Sequence, residues 1–484
     1  MFTGLGLRHA LLVSTMVAGW ATRLVAPATP PLAFPGAEGA GRFTSGGRGT
    51  AAAPTTVLEV TNLLDDNKPG CLRYALTTKA AARTVVFRVS GTIHLLSPLT
   101  ISKSNTTIAG QTAPGGGICL ADYPVQVKAN NVIVRFIRFR MGDKNQNQGF
   151  VDGAGGDDAF GGLRNHQLVV DHCSMSWSTD ESFSVYEGDS TTLQWNIIGP
   201  PLNYSYHFEK GDTDYEHHGY GGIWGGQHAS MHHNLFVHCN SRTPRFNGSR
   251  YTHPAGYENC DFRNNVIYDW GENNVYAGEG GNYNIVNNYY KPGPSTKDAV
   301  RTRVLNPYKL EKGNNPLPYG KFYLAGNYQD ASAEVTARNW RGVDMNGGTK
   351  ADTALAKAPA PFDLGPVATQ SAAEAYKLVL EKAGATRPLR DTLDQRLVRE
   401  VRLRTGRIID VQGGYPHGTA YETSQKAWPV LQTAPAPPDT DHDGLPDAWE
   451  TTHKLNPKDP ADRAKTGPGG YPMLEIYLAE LAGS

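Results

Sequence analysis

The sequence predicts an all-β fold: a single-stranded parallel β-helix, a solenoid, with a small helical and calcium-loop segment at its C-terminal end. Three observations carry this expectation. Apolar strands followed by Asn or a small residue recur along the chain, Gly 54 and Pro 32 supply tight turns, and helical periodicity is scarce before about residue 370.

The repeat reads Leu193-Gln194-Trp195-Asn196-Ile197-Ile198, then Met231-His232-His233-Asn234-Leu235-Phe236 and Phe262-Arg263-Asn264-Asn265-Val266-Ile267. It returns at Ile285-Val286-Asn287-Asn288-Tyr289-Tyr290 and at Leu324-Ala325-Gly326-Asn327-Tyr328. From Asn196 the intervals are 38, 31, 23 and 39 residues. The shorter ones fit one coil, and the longer ones fit coils that carry a loop insertion. An Asn at matched places is expected to occupy the αL turn and to hydrogen-bond to the Asn above and below, while flanking apolar residues stack into a core. Earlier coils fit at Asn105-Thr106-Thr107-Ile108, at Asn131 to Ile137 and at Gln167 to Cys173. A β-sandwich is the structural rival, but it gives no reason for Asn at matched positions.

Residues 1–33, with Arg8, His9 and the apolar run Ala10 to Ala21, read as a secretory signal cleaved after Ala21 or Ala33, with a buried N-terminal helix as the alternative. An exported protein, extracellular or periplasmic, follows from the first reading. Residues 34–370 are expected to form the β-helix, and 371–428 a helical and irregular extension interrupted by Pro388. A Pro-rich linker is expected over 429–438 and a calcium-loop module over 439–484. No later stretch approaches the ~18 apolar residues of a membrane span. Lys+Arg 46 balance Asp+Glu 46, which argues against nucleic acid and leaves only local attraction for a polyanion. Cys71, Cys119, Cys173, Cys239 and Cys260 lack C-x-x-C spacing; buried thiols, with one pair possible, are expected.

Two charge patterns point to chemistry. Arg242 and Arg245 flank Pro244 and make a stiff cationic fork suited to the carboxylates of an extended polymer. Upstream, Asp157-Asp158 and Asp180-Glu181 offer hard oxygen ligands for a cation such as Ca2+. A separate site is spelled by Asp439, Asp441, Asp443, Gly444, Leu445, Asp447 and Glu450, which match an EF-hand-type loop at each ligand position and at its glycine. Its expected job is structural, as a staple for a segment too short to bury enough apolar surface alone.

Several long strings resemble secreted pectate lyases: Ala33 to Gly39, Thr107 to Gly115, Asp171-His172-Cys173-Ser174-Met175-Ser176-Trp177, His232-His233-Asn234 and the Arg-x-Pro-Arg run. The calcium loop followed by Gly470-Tyr471-Pro472 looks like an ending of bacterial members. The resemblance implies a right-handed β-helix and calcium-dependent β-elimination on polygalacturonate, an acidic polysaccharide, by a monomer. It places the catalytic arginine, which removes the C5 proton, at Arg242, eight positions after Asn234. It implies Asp158 and Asp180 as metal ligands, with Asp157 or Glu181 compensating for Ser184 where the family commonly has a further Asp. Arg245 is implied as a substrate or loop contact, and Asn247 stands where another arginine is often found. Lys210, with His218 behind it, is the expected substrate-binding cation of the glycine-rich stretch from His207 to Gly222. Trp224, Trp270 and Tyr220 could stack on sugars or pack in the core. Asp171 and His172 are adjacent on a strand and expected to point to opposite faces in structural roles. The rival functions are a pectin hydrolase on the same fold, which needs paired carboxylates, and a non-catalytic pectin-binding protein.

Overall fold

Short runs of β-branched and aromatic residues, each ended by a corner residue at positive φ, build three parallel sheets of ten, nine and eight strands. The computed structural model describes residue 1 and residues 30–50, 52–251, 253–313 and 315–483. The expected leader therefore lies outside the described residues as far as residue 29. The β-helix lies wholly within Pro31–Ser484, which is one compact unit.

One coil shows the plan. His166–Asp171 belongs to the ten-stranded sheet, Ser174–Ser176 to the nine-stranded sheet and Phe183–Tyr186 to the eight-stranded sheet. The next coil repeats the order with Asp189–Gln194 directly above the first strand. Because every pairing is in register, like side chains form columns. Val85, Ile108, Val134, Val170, Leu193, Met231, Phe262 and Ile285 make one such column along the interior. Phe139, Phe160, Phe183 and Trp224 make an aromatic column with ring centroids 4.6 to 5.6 Å apart. Trp224 and Trp270 are fully buried and serve the core, not a sugar.

The asparagine ladder forms as expected. Each amide of Asn196, Asn234, Asn265 and Asn288 donates to the Oδ1 of the next at 3.0 Å, and Asn327 continues to Asn339 at 3.1 Å. The corner conformation, however, falls one residue earlier. Trp195, His233, Asn264 and Asn287 take φ between 52 and 57°, and Gly326 takes 66°. The ladder asparagine also donates its backbone N–H to the amide above, as Asn234 does to Asn265 at 2.9 Å, so the reversal is left to its predecessor. Asn105 and Asn131 do take φ 56°, but at the corner that enters the ten-stranded sheet. The αL position also corrects the reading of Asp171 and His172. At φ 52° His172 has left the strand, and its Nδ1 lies 2.8 Å from Asp171, which Arg135 also binds at 2.6 Å. The structural role stands; the opposite faces do not.

The tail is not a detached appendage. Helices Ala372–Lys382 and Thr392–Leu403, parted near Pro388, lay Val379, Leu380, Leu397 and Val401 on Ile197, Leu235 and Val266 of the nine-stranded sheet. Buried Arg140 reaches both Asp391 (2.7 Å) and Asp394 (2.9 Å) beneath them. The Pro-rich segment lies along the first coils, where Gln432 accepts a hydrogen bond from Gly116 at 2.7 Å. Leu445, Leu474 and Leu478 then pack on Ala109 and Val57, so the last residues return to the first coils. All five cysteines are buried free thiols.

Replacing Asn234 by Ala removes a wholly buried amide and leaves the Asn196 N–H and one hydrogen of the Asn196 side-chain amide without their acceptor. At ~1–3 kcal/mol per unsatisfied group, urea unfolding of Asn234→Ala should show a loss of roughly 2–4 kcal/mol. A loss under about 0.5 kcal/mol would remove the ladder from any central role.

Candidate active site and a calcium loop

The corner between the nine- and eight-stranded sheets stacks functional residues from successive coils. Asp158 precedes the strand Phe160–Leu163, Asp180 and Glu181 precede Phe183–Tyr186, Tyr220 precedes Ile223–Trp224, and Arg242 precedes Arg245–Phe246. Backbone bridges from Glu181 to Tyr220 and from Tyr220 to Ser241 hold the column. Arg242 takes φ 57° at its turn, which swings the guanidinium back over the Tyr220 ring, 4.4 Å from its centroid. There it pairs with Glu181. The Glu181 backbone N–H in turn donates to Asp158 Oδ1 at 3.0 Å.

The ligand oxygens of Asp158, Asp180 and Glu181 all lie within 4.8 Å of one another, with Oδ1 of Asp180 against His218 and Oε1 of Glu181 against Arg242. Burial and then the Asp180 charge push the Asp158 carboxyl well above its usual range, although Ser184 and Arg242 oppose them. Burial acts to raise Asp180 too, but the His218 hydrogen bond and the positive His218 and Arg242 outweigh it and hold that carboxyl low. Crowded carboxylates of this kind fit a hard dication.

The structure sorts the sequence candidates. Glu181 joins the converging carboxylates. Asp157 does not: its carboxylate accepts from Gln146 at 2.9 Å and its carbonyl from Asp180 N–H. His218 enters the site as a partner of Asp180, Nε2 to Oδ1 at 2.6 Å. Burial acts to lower this imidazole, but Asp180 and Glu216 outweigh it and carry it up to about 9. Lys210 stays exposed on a turn of the inserted loop, its backbone N–H on Asp152, so the expected order of the two cations is reversed. The insertion folds back through bridges Ala154 to Phe208 and Tyr204 to His217, which seat His207 and His218 inward and leave Lys210 outside. Arg245 is locked to Glu279 at 2.9 Å and stands 5.7 Å from the Tyr276 centroid. Asn247 is buried and fastens Arg250, whose Nη2 donates to its amide oxygen at 2.9 Å. Arg250 is a cation that sequence reasoning missed; its signal was the Asn three residues before it.

At the C-terminal loop, both carboxylate oxygens of Asp441 and of Glu450, with Oδ2 of Asp443, are buried without partners. Asp439 binds the Asp443 and Gly444 N–H groups and Arg88. Leu445 offers only its backbone to the loop, since its side chain is core. Asp447 departs from the expected ligand set: both its oxygens accept from Thr440 at 2.7 Å. Asp462, which the loop pattern does not contain, converges with Asp443 and Glu450 and brings an unpartnered Oδ1. This donor set also suits Ca2+.

A parallel β-helix that gathers one arginine and several carboxylates along a single corner defines a class of protein built to grip an extended acidic chain. No model of a known protein family matches the sequence. Among curated proteins, the probable pectate lyase C of Aspergillus fumigatus is 32% identical, covering 94% of this chain and 95% of its own. That of Emericella nidulans is 31% identical, covering 94% and 93%. The chain belongs to the pectate lyase family, and it is an enzyme of polysaccharide-lyase type. Among solved structures, the cedar pollen allergen jun a 1 covers 72% of the chain at 17% identity with a TM-score of 0.49. A Bacillus pectate lyase in complex with trigalacturonate covers 72% at 14% identity with a TM-score of 0.45.

With no cation among them, burial and the neighbouring acids raise Asp443 to about 7 and Glu450 to about 8. Carboxyls raised on folding lose stability as pH climbs from their unfolded values, near 4, through the folded ones. Chelation should therefore lower the melting temperature more at pH 8 than at pH 5, and Asp462→Asn should weaken calcium binding roughly tenfold. Equal melting shifts at both pH values would count against the loop as a calcium site.

Proposed function

We propose that this protein is a secreted pectate lyase that cleaves α-1,4-linked polygalacturonate by calcium-assisted β-elimination. The observation that carries the reading is Arg242 set against Glu181 in the same cluster as Asp158 and Asp180. Asp158, Asp180 and Glu181 are the residues to hold the catalytic cation; the convergence of their oxygens within 4.8 Å supports that role. Calcium there supplies neutralisation of the uronate carboxylate and so a more acidic C5 proton.

The chain's own residues then divide the work. Glu181, held as a ligand, would leave the Arg242 guanidinium free to face the substrate. Arg242, entering the step as neutral guanidine after its own proton has left to solvent, takes the C5 proton on a guanidine nitrogen. The electrons of that C–H bond form the C4–C5 double bond, and the C4–O bond breaks to release the preceding part of the chain, whose oxygen takes a proton from water. Tyr220 holds the guanidinium plane in place. Arg245, tied to Glu279, positions the strand, while Arg250 is the freer cation for a second uronate carboxylate. Asp439, Asp441, Asp443, Glu450 and Asp462 hold a second, structural calcium in an ending of the bacterial type. The reading includes a monomer with its leader cleaved after Ala21; Leu32 and Ala33 carbonyls accept from Arg48, which speaks against cleavage after Ala33.

Purified protein given polygalacturonate and calcium should produce an ultraviolet-absorbing unsaturated end, and chelator should abolish it. Arg242→Lys should cut turnover by about 10²–10⁴ with the melting temperature preserved. Arg250→Ala should raise KM roughly tenfold at little cost in kcat. Bond cleavage without new absorbance, surviving chelation, would replace the lyase by a hydrolase.

A further inference from the structure

Beside the oxygen cluster lies a second constellation that calcium chemistry does not use. His207 and His218 are 3% and 5% exposed, and their rings stack with centroids 3.8 Å apart. The Nδ1 atoms of both face one oxygen of Glu216, at 3.0 and 2.9 Å. The Nε2 atoms of both face Asp180, that of His218 at 2.6 Å and that of His207 at 4.0 Å. Yet Nε2 of His218, Oδ1 of Asp180 and Nδ1 of His207 have no aligned hydrogen-bond partner although buried. Two imidazoles turned by one outer carboxylate toward another are the usual frame of a metal site, in which the outer acid sets the tautomer of each ligating ring.

We propose that His207, His218 and Asp180 hold a divalent transition metal of the zinc class, oriented by Glu216. One ligand atom from each of the three lies within 4.8 Å of the other two. Two neutral nitrogens and one carboxylate favour such a metal over calcium, which takes oxygen, and three protein ligands leave a position open for substrate or water. His218 releases its proton to solvent when the metal enters. The inference rests on this geometry alone and not on the lyase reading, although Asp180 is common to both clusters.

The test uses untagged full-length protein, stripped with chelator and titrated with Co2+ alone. One equivalent should give the intense visible bands of a low-coordinate nitrogen-containing site; octahedral oxygen sites such as the C-terminal loop give only weak ones. His207→Gln and His218→Gln should weaken that binding at least tenfold, and Asp443→Asn should leave it intact. Absence of the bands in wild-type protein, or unchanged binding in both histidine variants, overturns the proposal. Should a variant not fold, X-ray absorption of zinc-loaded wild-type protein decides: two imidazole shells support the site, and none refutes it. The ultraviolet assay is read separately. Turnover without cobalt bands sinks only this inference, and cobalt bands without turnover sink only the lyase reading.

Discussion

Coil-to-coil register is the constraint on which the rest of the molecule depends. In a parallel solenoid each residue finds its neighbour one coil away, roughly 4.8 Å along the axis, and never across a hairpin. The buried amides of Asn196, Asn234, Asn265 and Asn288 enforce this spacing, because each donates to the Oδ1 of the asparagine one coil on. A slip of one residue would break the ladder and turn every interior column outward. The interior aromatics and aliphatics are then free to be chosen for volume, since alignment is already set by polar groups.

The same register builds the functional corner. Asp158, Glu181, Tyr220 and Arg242 come from different coils, tens of residues apart, yet they occupy equivalent places before strands of one sheet. Stacking them concentrates like charge at one edge. Burial keeps that charge unscreened, which is why Asp158 resists ionisation while Asp180, helped by His218, does not. Such an edge stores electrostatic demand for a cation, and the Arg242–Glu181 pair meets part of it. The C-terminal loop repeats the logic at another place: unpartnered carboxylates in a segment that closes back on the first coils through Leu445, Leu474 and Leu478.

Much of this was legible in the primary structure because the solenoid makes local pattern and tertiary contact nearly the same thing. The Asn repeat predicted the ladder, and the spacing of Arg242 from Asn234 pointed to the residue that joins the carboxylates. The acidic C-terminal loop was legible because its carboxylates lie within one short segment. What escaped were contacts made by excursions from the coil. His207 and His218 turned inward and Lys210 outward because the inserted loop folds back on residues near Ala154, which no repeat encodes. Asp462 joins Glu450 and Asp443 from beyond the loop motif, and Arg250 is fastened by Asn247.

By itself, then, the sequence determined the parallel β-helix and the ladder, since each follows from residue type at a repeated interval, whereas Arg242 was marked by resemblance to a known family. Tertiary structure alone decided which acids converge, which histidines face them, and that the last residues pack beside the first strands. The physical reason is range. Periodic contacts are written once per coil, whereas loop folding and the return of the tail are settled by burial and charge among residues hundreds of positions apart, as in Arg48 and Glu475 at 2.8 Å.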